Sequence, residues 1–303
     1  MNRTFAIVGP GRVGRALARE LCKAGWQLVG VLGSNAEKSR RAALEFQHLS
    51  GTIPLTDWTE IAPRAVVVFL TTPDDVLGSV AADLARALDE VTGLKLEQVP
   101  RIALHASGAL DSDVLSPLRR HGYALGSLHP LQSLSGGDST ALRNIAWGLE
   151  GEDAAVAMGE ELVSVLQGRV LCLGKETKPL YHAAAAFASN YLVVLLAAAS
   201  DLMERSGLPA DESVVSLLPL VEGSLHNVRL QGVPAALTGP IERGDVRTVS
   251  EHLAAFERYG VSAELQRLYR VLGLEALRLA RQKKSVSEKA AAELERLLRK
   301  AGT

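Results

Sequence analysis

Cysteine is scarce in this 303-residue chain. Cys22 and Cys172 are the only two, and their spacing fits neither a disulfide framework nor a metal site. The sequence therefore predicts no metal and a place in the reducing cytoplasm. Excess charge is lacking too. Lys and Arg number 33 against 34 Asp and Glu, a net charge of −1, which argues against a nucleic-acid surface built on bulk charge. Met1-Asn-Arg-Thr4 runs directly into an apolar stretch, which predicts no signal peptide. From His182 to Ser200 there is no Asp, Glu, Lys or Arg. The length invites comparison with a membrane span. The many alanines and the interruption at Ser189-Asn190-Tyr191 instead predict a buried helix of a soluble protein with no membrane partner.

What is present is a globular composition, 47% hydrophobic and 22% charged, at a length that suggests about two domains. The chain is organised around Phe5 to Gly14. A short apolar run leads into Gly9, Gly11 and Gly14, spaced G-x-G-x-x-G, and then into a segment of helical periodicity. Strand, glycine turn and helix form the context in which this spacing marks a dinucleotide site. Gly9 permits the tight turn, Gly11 lets the backbone approach a pyrophosphate, and Gly14 lets helix and strand pack closely. The free N–H groups of the helix start, at Arg12 and Val13, face the phosphates. The competing reading is a glycine turn that binds nothing.

The second strand is predicted at Gln27–Leu32, followed by Gly33-Ser34-Asn35. An NAD-preferring protein places an acidic residue here for the ribose hydroxyls. Ser34 and Asn35 stand there instead, Glu37 comes late, and Lys38, Arg40 and Arg41 follow. Small polar side chains with nearby cations suit a 2′-phosphate, so the reading is NADP (NADPH) over NAD. The alternative is that the cations only solvate the next helix. Ala65–Leu70 reads as a strand covered on both faces, and the residues after it, Thr71, Thr72 and Pro73, are predicted neighbours of the cofactor. Asp74 is either a helix cap or a ligand.

Two further strands end in polar motifs, His105-Ala-Ser107-Gly108 and His129-Pro-Leu-Gln132. Both fall where the crevice of an open α/β sheet lies. Either motif alone fits loop chemistry, with Ser107-Gly108 as a turn and His129-Pro130 as a strand terminator; together they predict a site. Strands at Asn144–Leu149 and Arg169–Leu173 flank a helix at Asp153–Leu166. The first domain is placed at residues 1–174 and an all-helical second domain at 175–303, closely docked. Lys178, His182 and Ser189 recur on one helical face, with Asn190 beside it, and a ligand is one partner such a polar stripe could meet. Ala183–Ala199 is expected to be the central helix of the second domain, with a two-fold interface beside it.

These segments resemble a family of Rossmann-like bacterial proteins with a C-terminal domain of unknown function, DUF2520. The resemblance rests on Gly9-Pro-Gly-Arg-Val-Gly14, His105-Ala-Ser-Gly108, His129-Pro-Leu-Gln132, Tyr181-His-Ala-Ala-Ala-Ala-Phe-Ala-Ser-Asn190 and Leu237-Thr-Gly-Pro-Ile-Glu-Arg-Gly-Asp245. It implies a doubly wound Rossmann sheet (α/β) followed by an all-α domain, in the arrangement of the 6-phosphogluconate dehydrogenases, and a homodimer through the helices. The family is similar in fold to pyrroline-5-carboxylate reductases and, more distantly, to prephenate dehydrogenases and 3-hydroxyacid dehydrogenases. Ser107 and His129-Pro130 match the prephenate dehydrogenases in type and order. His182 stands where the 3-hydroxyacid enzymes would carry an asparagine, a departure from plain 3-hydroxyacid chemistry.

The resulting expectation is an NADP-dependent oxidoreductase acting on a small carbonyl, imine or hydroxy acid. His129 or His182 would exchange the proton, Ser107 would position the reacting group, and Lys178 would anchor a substrate carboxylate or serve as the acid. A nucleotide-binding sensor or scaffold without turnover is the rival reading, since a fold alone does not establish catalysis.

Overall fold

The structure is a computed structural model that describes residues 3–90, 101–134 and 142–300. The chain divides into two compact units, Met1–Ser189 and Asn190–Thr303.

In the first unit, β1 (Thr4–Val8), β2 (Gln27–Leu32), β3 (Val67–Leu70), β4 (Arg101–His105), β5 (Tyr123–Pro130), β6 (Ala146–Gly151) and β7 (Arg169–Cys172) form one sheet in the order β2-β1-β3-β4-β5-β6-β7. The first five strands are parallel. β6 runs antiparallel to β5, and β7 is parallel to β6. The central strands β1 and β3 are almost wholly apolar because alternate residues fill opposite layers. Phe5, Ile7, Phe69 and Leu104 pack with Leu17 and Leu21 of α1 (Arg12–Lys23), Phe46 of α2 (Ala36–Ser50) and Leu162 of α5 (Asp153–Val165). Ala6, Val8, Val68 and Leu70 pack on the other side with Ile61 of α3 (Trp58–Ile61), Leu77 and Leu84 of α4 (Asp74–Asp89) and Leu115 of a 3-10 helix, Ser112–His121. Each such side chain contributes about 1.5–3 kcal/mol on burial, so a charge on either face of β3 would cost the sheet its centre.

The register brings the carboxyl ends together. Val8 pairs with Leu32 and Leu70, Leu70 with His105, and His105 with Ser127. Because β5 continues to Pro130, His129 extends beyond this edge.

The division into compact units falls later than the border expected at Gly174. α6 (Lys178–Ala188) belongs with the first unit, and the division falls at Ser189. The physical reason is Lys178, whose fully buried ammonium is held by Ser107 O and Ser127 Oγ.

The second unit is helical: α7 (Asn190–Arg205), α8 (Ala210–Gln231), α9 (Val233–Ala236), α10 (Val246–Arg258), α11 (Ala263–Lys283) and α12 (Glu288–Arg299). Asp245 caps α10 by accepting from Thr248 N. The core joins Val249 of α10, Leu277 of α11, and Leu294 and Leu298 of α12. The charged C-terminal helix α12 is therefore a packed element.

Two expectations about the alanine-rich stretch fail. It is not one helix, because α6 ends at Ala188 and Ser189 departs from helical backbone at φ −120° and ψ −73°. Nor is it buried in the single chain. Ser200 is the one buried residue of α7, while Leu180, Phe187, Val193 and Val194 are exposed. Lys175–Arg205 is long and apolar enough, by length and composition, to cross a membrane.

Candidate functional site

A cleft of about 800 Å³ opens at the carboxyl edge of the sheet. Its lining comes from the turns after three neighbouring strands: Gly9 and Gly11 after β1, Gly33 and Ser34 after β2, and Thr71, Thr72 and Pro73 after β3. The helices of β1 and β3 diverge to opposite faces at this point, which is where open α/β sheets place ligands. Gly9 adopts φ +89°, and a Cβ there would meet Thr72 at 2.8 Å. Gly11 differs. A Cβ on it would find only Gly9 O, at 3.9 Å, so the backbone is bare toward open space. Gly11 is also the N-cap of α1, with no side-chain cap, so the positive end of the helix dipole is left for an anion. Thr72 Oγ1 is buried without a hydrogen-bond partner among the described residues.

Several side chains around the glycine turn are engaged away from the cleft. Gly14 is a packing residue, buried against Thr71 and Ile7. Val13 packs on the core, and Arg12 donates to Leu134 O at 3.1 Å. None of the three lines the cleft. Asn35 caps α2, accepting from Lys38 N at 2.9 Å, which commits its side chain to the helix. Ser34 does line the cleft and accepts from Lys38 Nζ at 3.1 Å. Lys38, Arg41 and Arg15 line it as well, whereas Arg40 does not. Arg15 is the residue that sequence reasoning missed. Its position one helical turn after Gly11 was the available signal.

The cleft connects through short bonds to a second cluster. Next to Pro73, Asp74 Oδ2 accepts from Ser107 Oγ at 2.7 Å. The Asp74 carboxylate is thus held by Ser107 within the fold, and Pro73, not Asp74, is the N-cap of α4. Ser107 Oγ accepts in turn from Ala109 N and Leu110 N at 3.2 and 3.0 Å. With one proton and two lone pairs, the hydroxyl is saturated. All three positions of Ser107 are taken up in building the loop. His105 is saturated as well. Nδ1 accepts from Ser107 N at 3.1 Å, so Nε2 carries the proton and donates to Asp111 O at 3.0 Å. Burial, with the Lys178 charge adding to it, pushes the His105 pKa down to about 3.

The Lys178 side chain is 0% exposed, and its ammonium donates to Ser107 O at 3.2 Å and to Ser127 Oγ. Burial lowers its pKa, opposed by Glu150, Asp111 and Asp74. Glu150 is itself buried and accepts from Ser112 N and Ser112 Oγ at 2.9 and 2.7 Å. Lys178 therefore ties the ends of β4 and β5 together.

Gly108 lies between two imidazoles. A Cβ there would come within 2.8 Å of His182 Cδ2 and 2.9 Å of His129 Nε2, so glycine is what admits both rings. Their centroids are 6.1 Å apart at an interplanar angle of 83°. His129 Nδ1 lies 2.9 Å from the Tyr181 hydroxyl. Burial, then the charges of His182 and Lys178, bring the His129 pKa down to about 4, so this ring is neutral at physiological pH. His182 is solvent-exposed on α6. His129 and His182 thus meet within the first unit. Gln132 does not join it, and its Oε1 accepts from Ser133 N. Asn190 opens α7 in the second unit, because the helical face carrying Lys178 and His182 stops at Ser189. Among the described residues, no three His, Cys, Asp or Glu are grouped to hold a metal ion.

Residues 2–130 match the model of a Rossmann-like domain, and residues 145–276 match the domain of unknown function DUF2520. The two matches adjoin without overlap and together span most of the chain. No curated protein matches this chain. Among solved structures it is similar to protein TM1727 from Thermotoga maritima, at 23% identity and a TM-score of 0.69, covering 92% of this chain and 99% of that one. It is also similar to a pyrroline-5-carboxylate reductase from Coxiella burnetii, at 17% identity and 0.57, covering 95% and 100%. A third is a reductive aminase from Aspergillus terreus in complex with NADPH and ethyl levulinate, at 17% identity and 0.60, covering 98% and 99%. The likeness is one of fold, and it includes the pyrroline-5-carboxylate reductases whose resemblance the sequence suggests.

Proposed function

We propose that the protein is an NADP-dependent oxidoreductase that moves a hydride to or from a small carbonyl, imine or hydroxy-acid substrate. The observation carrying this reading is one sheet edge that holds both a nucleotide-sized cleft and a pair of converging histidines. The residues present fit the cofactor. Gly11 leaves backbone bare at an uncapped helix start, and Ser34, Lys38 and Arg41 supply polar and cationic groups where a 2′-phosphate would lie. Hydride transfer would be the cofactor's chemistry, while the protein contributes orientation and a proton. His129, neutral and held through Nδ1, offers Nε2 to the reacting oxygen or nitrogen. His182 stands opposite as the second proton-exchanging group. NADPH bound in a structural neighbour supports the cofactor assignment.

The test is calorimetric titration with NADPH and NADH, followed by small ketones, keto acids, imines and hydroxy acids monitored at the nicotinamide absorbance. Turnover of any of these supports the reading. Tight binding without turnover across the panel would indicate a nucleotide sensor or scaffold instead.

The proposed partner is a second copy of the chain, and the proposed compartment is the cytoplasm, where two unpaired cysteines persist. Phe187 of α6, Val193 of α7, and Leu220 and Leu230 of α8 are each 65% exposed or more, and apolar surface of this extent marks an interaction site. Sedimentation should give a homodimer burying beyond about 2,000 Å² in total. A monomer at micromolar concentration rules this partner out.

A further inference from the structure

Tyr181 lies on α6 between the buried lysine and His182. It follows Lys178 by three residues, so the turn of helix anchored by the buried ammonium also sets the tyrosine. Its ring meets His129 edge-on, with centroids 5.6 Å apart. On the far side it lies against Gly148, where a Cβ would come within 2.8 Å of the phenol oxygen. Gly148 is the cross-strand partner of His129. A glycine in β6 thus makes room for the tyrosine that faces the histidine of β5, as Gly108 makes room for the imidazoles.

The proton arrangement follows from donor and acceptor capacity. The phenol is half-buried and its pKa is raised by that burial, opposed by the nearby Gly148 N–H, so it keeps its proton. The described hydrogen bond it makes is to His129 Nδ1. A phenol proton placed there needs an acceptor, so Nδ1 is the bare nitrogen and Nε2 bears the hydrogen. The reverse arrangement would leave the phenol proton without a protein partner in a half-buried site.

We infer that Tyr181 is a positioning residue that fixes His129 as the Nε2–H tautomer, with that N–H presented beside Gly108 and His182. The histidine then meets a substrate as a hydrogen-bond donor to a carbonyl oxygen or imine nitrogen, not as a base. This rests on the hydride-transfer reading for its chemical consequence, but the tautomer itself does not. The buried Lys178 charge works in the same direction by opposing a second proton on the ring.

The experiment uses the full chain with ¹⁵N-labelled histidine and the variants Tyr181→Phe and His129→Gln. In the wild-type protein His129 should show a bare, hydrogen-bonded Nδ1 and a protonated Nε2. In Tyr181→Phe the Nδ1 resonance should move toward that of a free acceptor. A proton on Nδ1 in the wild type, or no Nδ1 shift in the variant, overturns the inference even if no substrate is ever found. With a substrate in hand, Tyr181→Phe should lower kcat about tenfold or more and leave KM within about twofold. In a His129→Gln background the amide supplies an N–H with no tautomer to select, so adding Tyr181→Phe should change kcat less than about twofold. Full additivity of the two losses would show that Tyr181 does not act through His129.

Discussion

Two strand ends of this sheet read alike in sequence and differ in structure. His105-Ala-Ser107 follows β4, and His129-Pro130 closes β5. In the first, both imidazole nitrogens and all three hydrogen-bonding positions of the serine are occupied from within the fold. In the second, one imidazole nitrogen is held by Tyr181, and the ring lies against Gly108 and His182. A polar side chain whose capacity is filled internally is architecture, and one with capacity left over is available for chemistry.

Acid should collapse the difference between the two, and it is the largest effect expected. The His105 and His129 pKa values lie at about 3 and about 4, below the 6.5 of an unperturbed histidine. The unfolded chain therefore binds more protons throughout that window, and stability falls as pH drops. The contribution of both rings is complete above about pH 6.5. It is lost progressively toward the folded values, so the urea midpoint should decline steadily between pH 6.5 and 4. A flat profile would show that the rings are more hydrated than their burial indicates.

Substitution should then separate the two ends. His182→Ala removes an exposed ring, so NADPH affinity and the thermal midpoint should stay near wild type. Turnover should fall about 100-fold, the low end of what a proton-transfer group contributes; unchanged kcat would remove it from the chemistry. Ser107→Ala should do the opposite, losing about 1–3 kcal/mol in urea denaturation as Ala109 N and Leu110 N lose their acceptor. A stable Ser107→Ala protein with a large loss of kcat would reverse the assignment of the two ends. The smallest effect concerns the cleft. NADPH should bind about tenfold more tightly than NADH, or about 1.4 kcal/mol, and Lys38→Ala with Arg41→Ala should abolish the preference. Equal affinities in the wild type would mean these cations stay in solvent.

The sequence made the sheet legible because its signals are local. Continuous apolar runs and the glycine spacing depend on neighbours in the chain, and the observed strands fall within a few residues of the expected ones. The meeting of His129 with His182 was also legible, since strand order and a short connection constrain it. Saturation was not. That Ser107 would turn to Asp74, 33 residues earlier, and that Lys178 would be drawn in by Ser127 are long-range choices of hydrogen-bond partner, which residue type leaves open. Asn35 was not legible for a simpler reason, because a ligand contact and a helix cap call for the same small polar side chain. The exposure of α7 could not be read either, because an apolar helix carries the same pattern whether its cover lies in its own chain or in another.

The anchoring of α6 to the sheet bears on how such a protein can be cut and recombined. The Rossmann-like match ends at residue 130 and the DUF2520 match begins at residue 145, so β6, β7 and α6 are inherited with the second segment but fold with the first. A fragment ending at Gly174 would have a complete seven-stranded sheet, yet Ser127 would lack its lysine and His129 its tyrosine and facing imidazole. It would keep the nucleotide cleft and lose the histidine pair. Exchanging DUF2520 segments between relatives at the border of the two matches would therefore transplant half of the histidine site along with the helices, so the segment that travels as a unit in heredity is not the segment that stands as a unit in space.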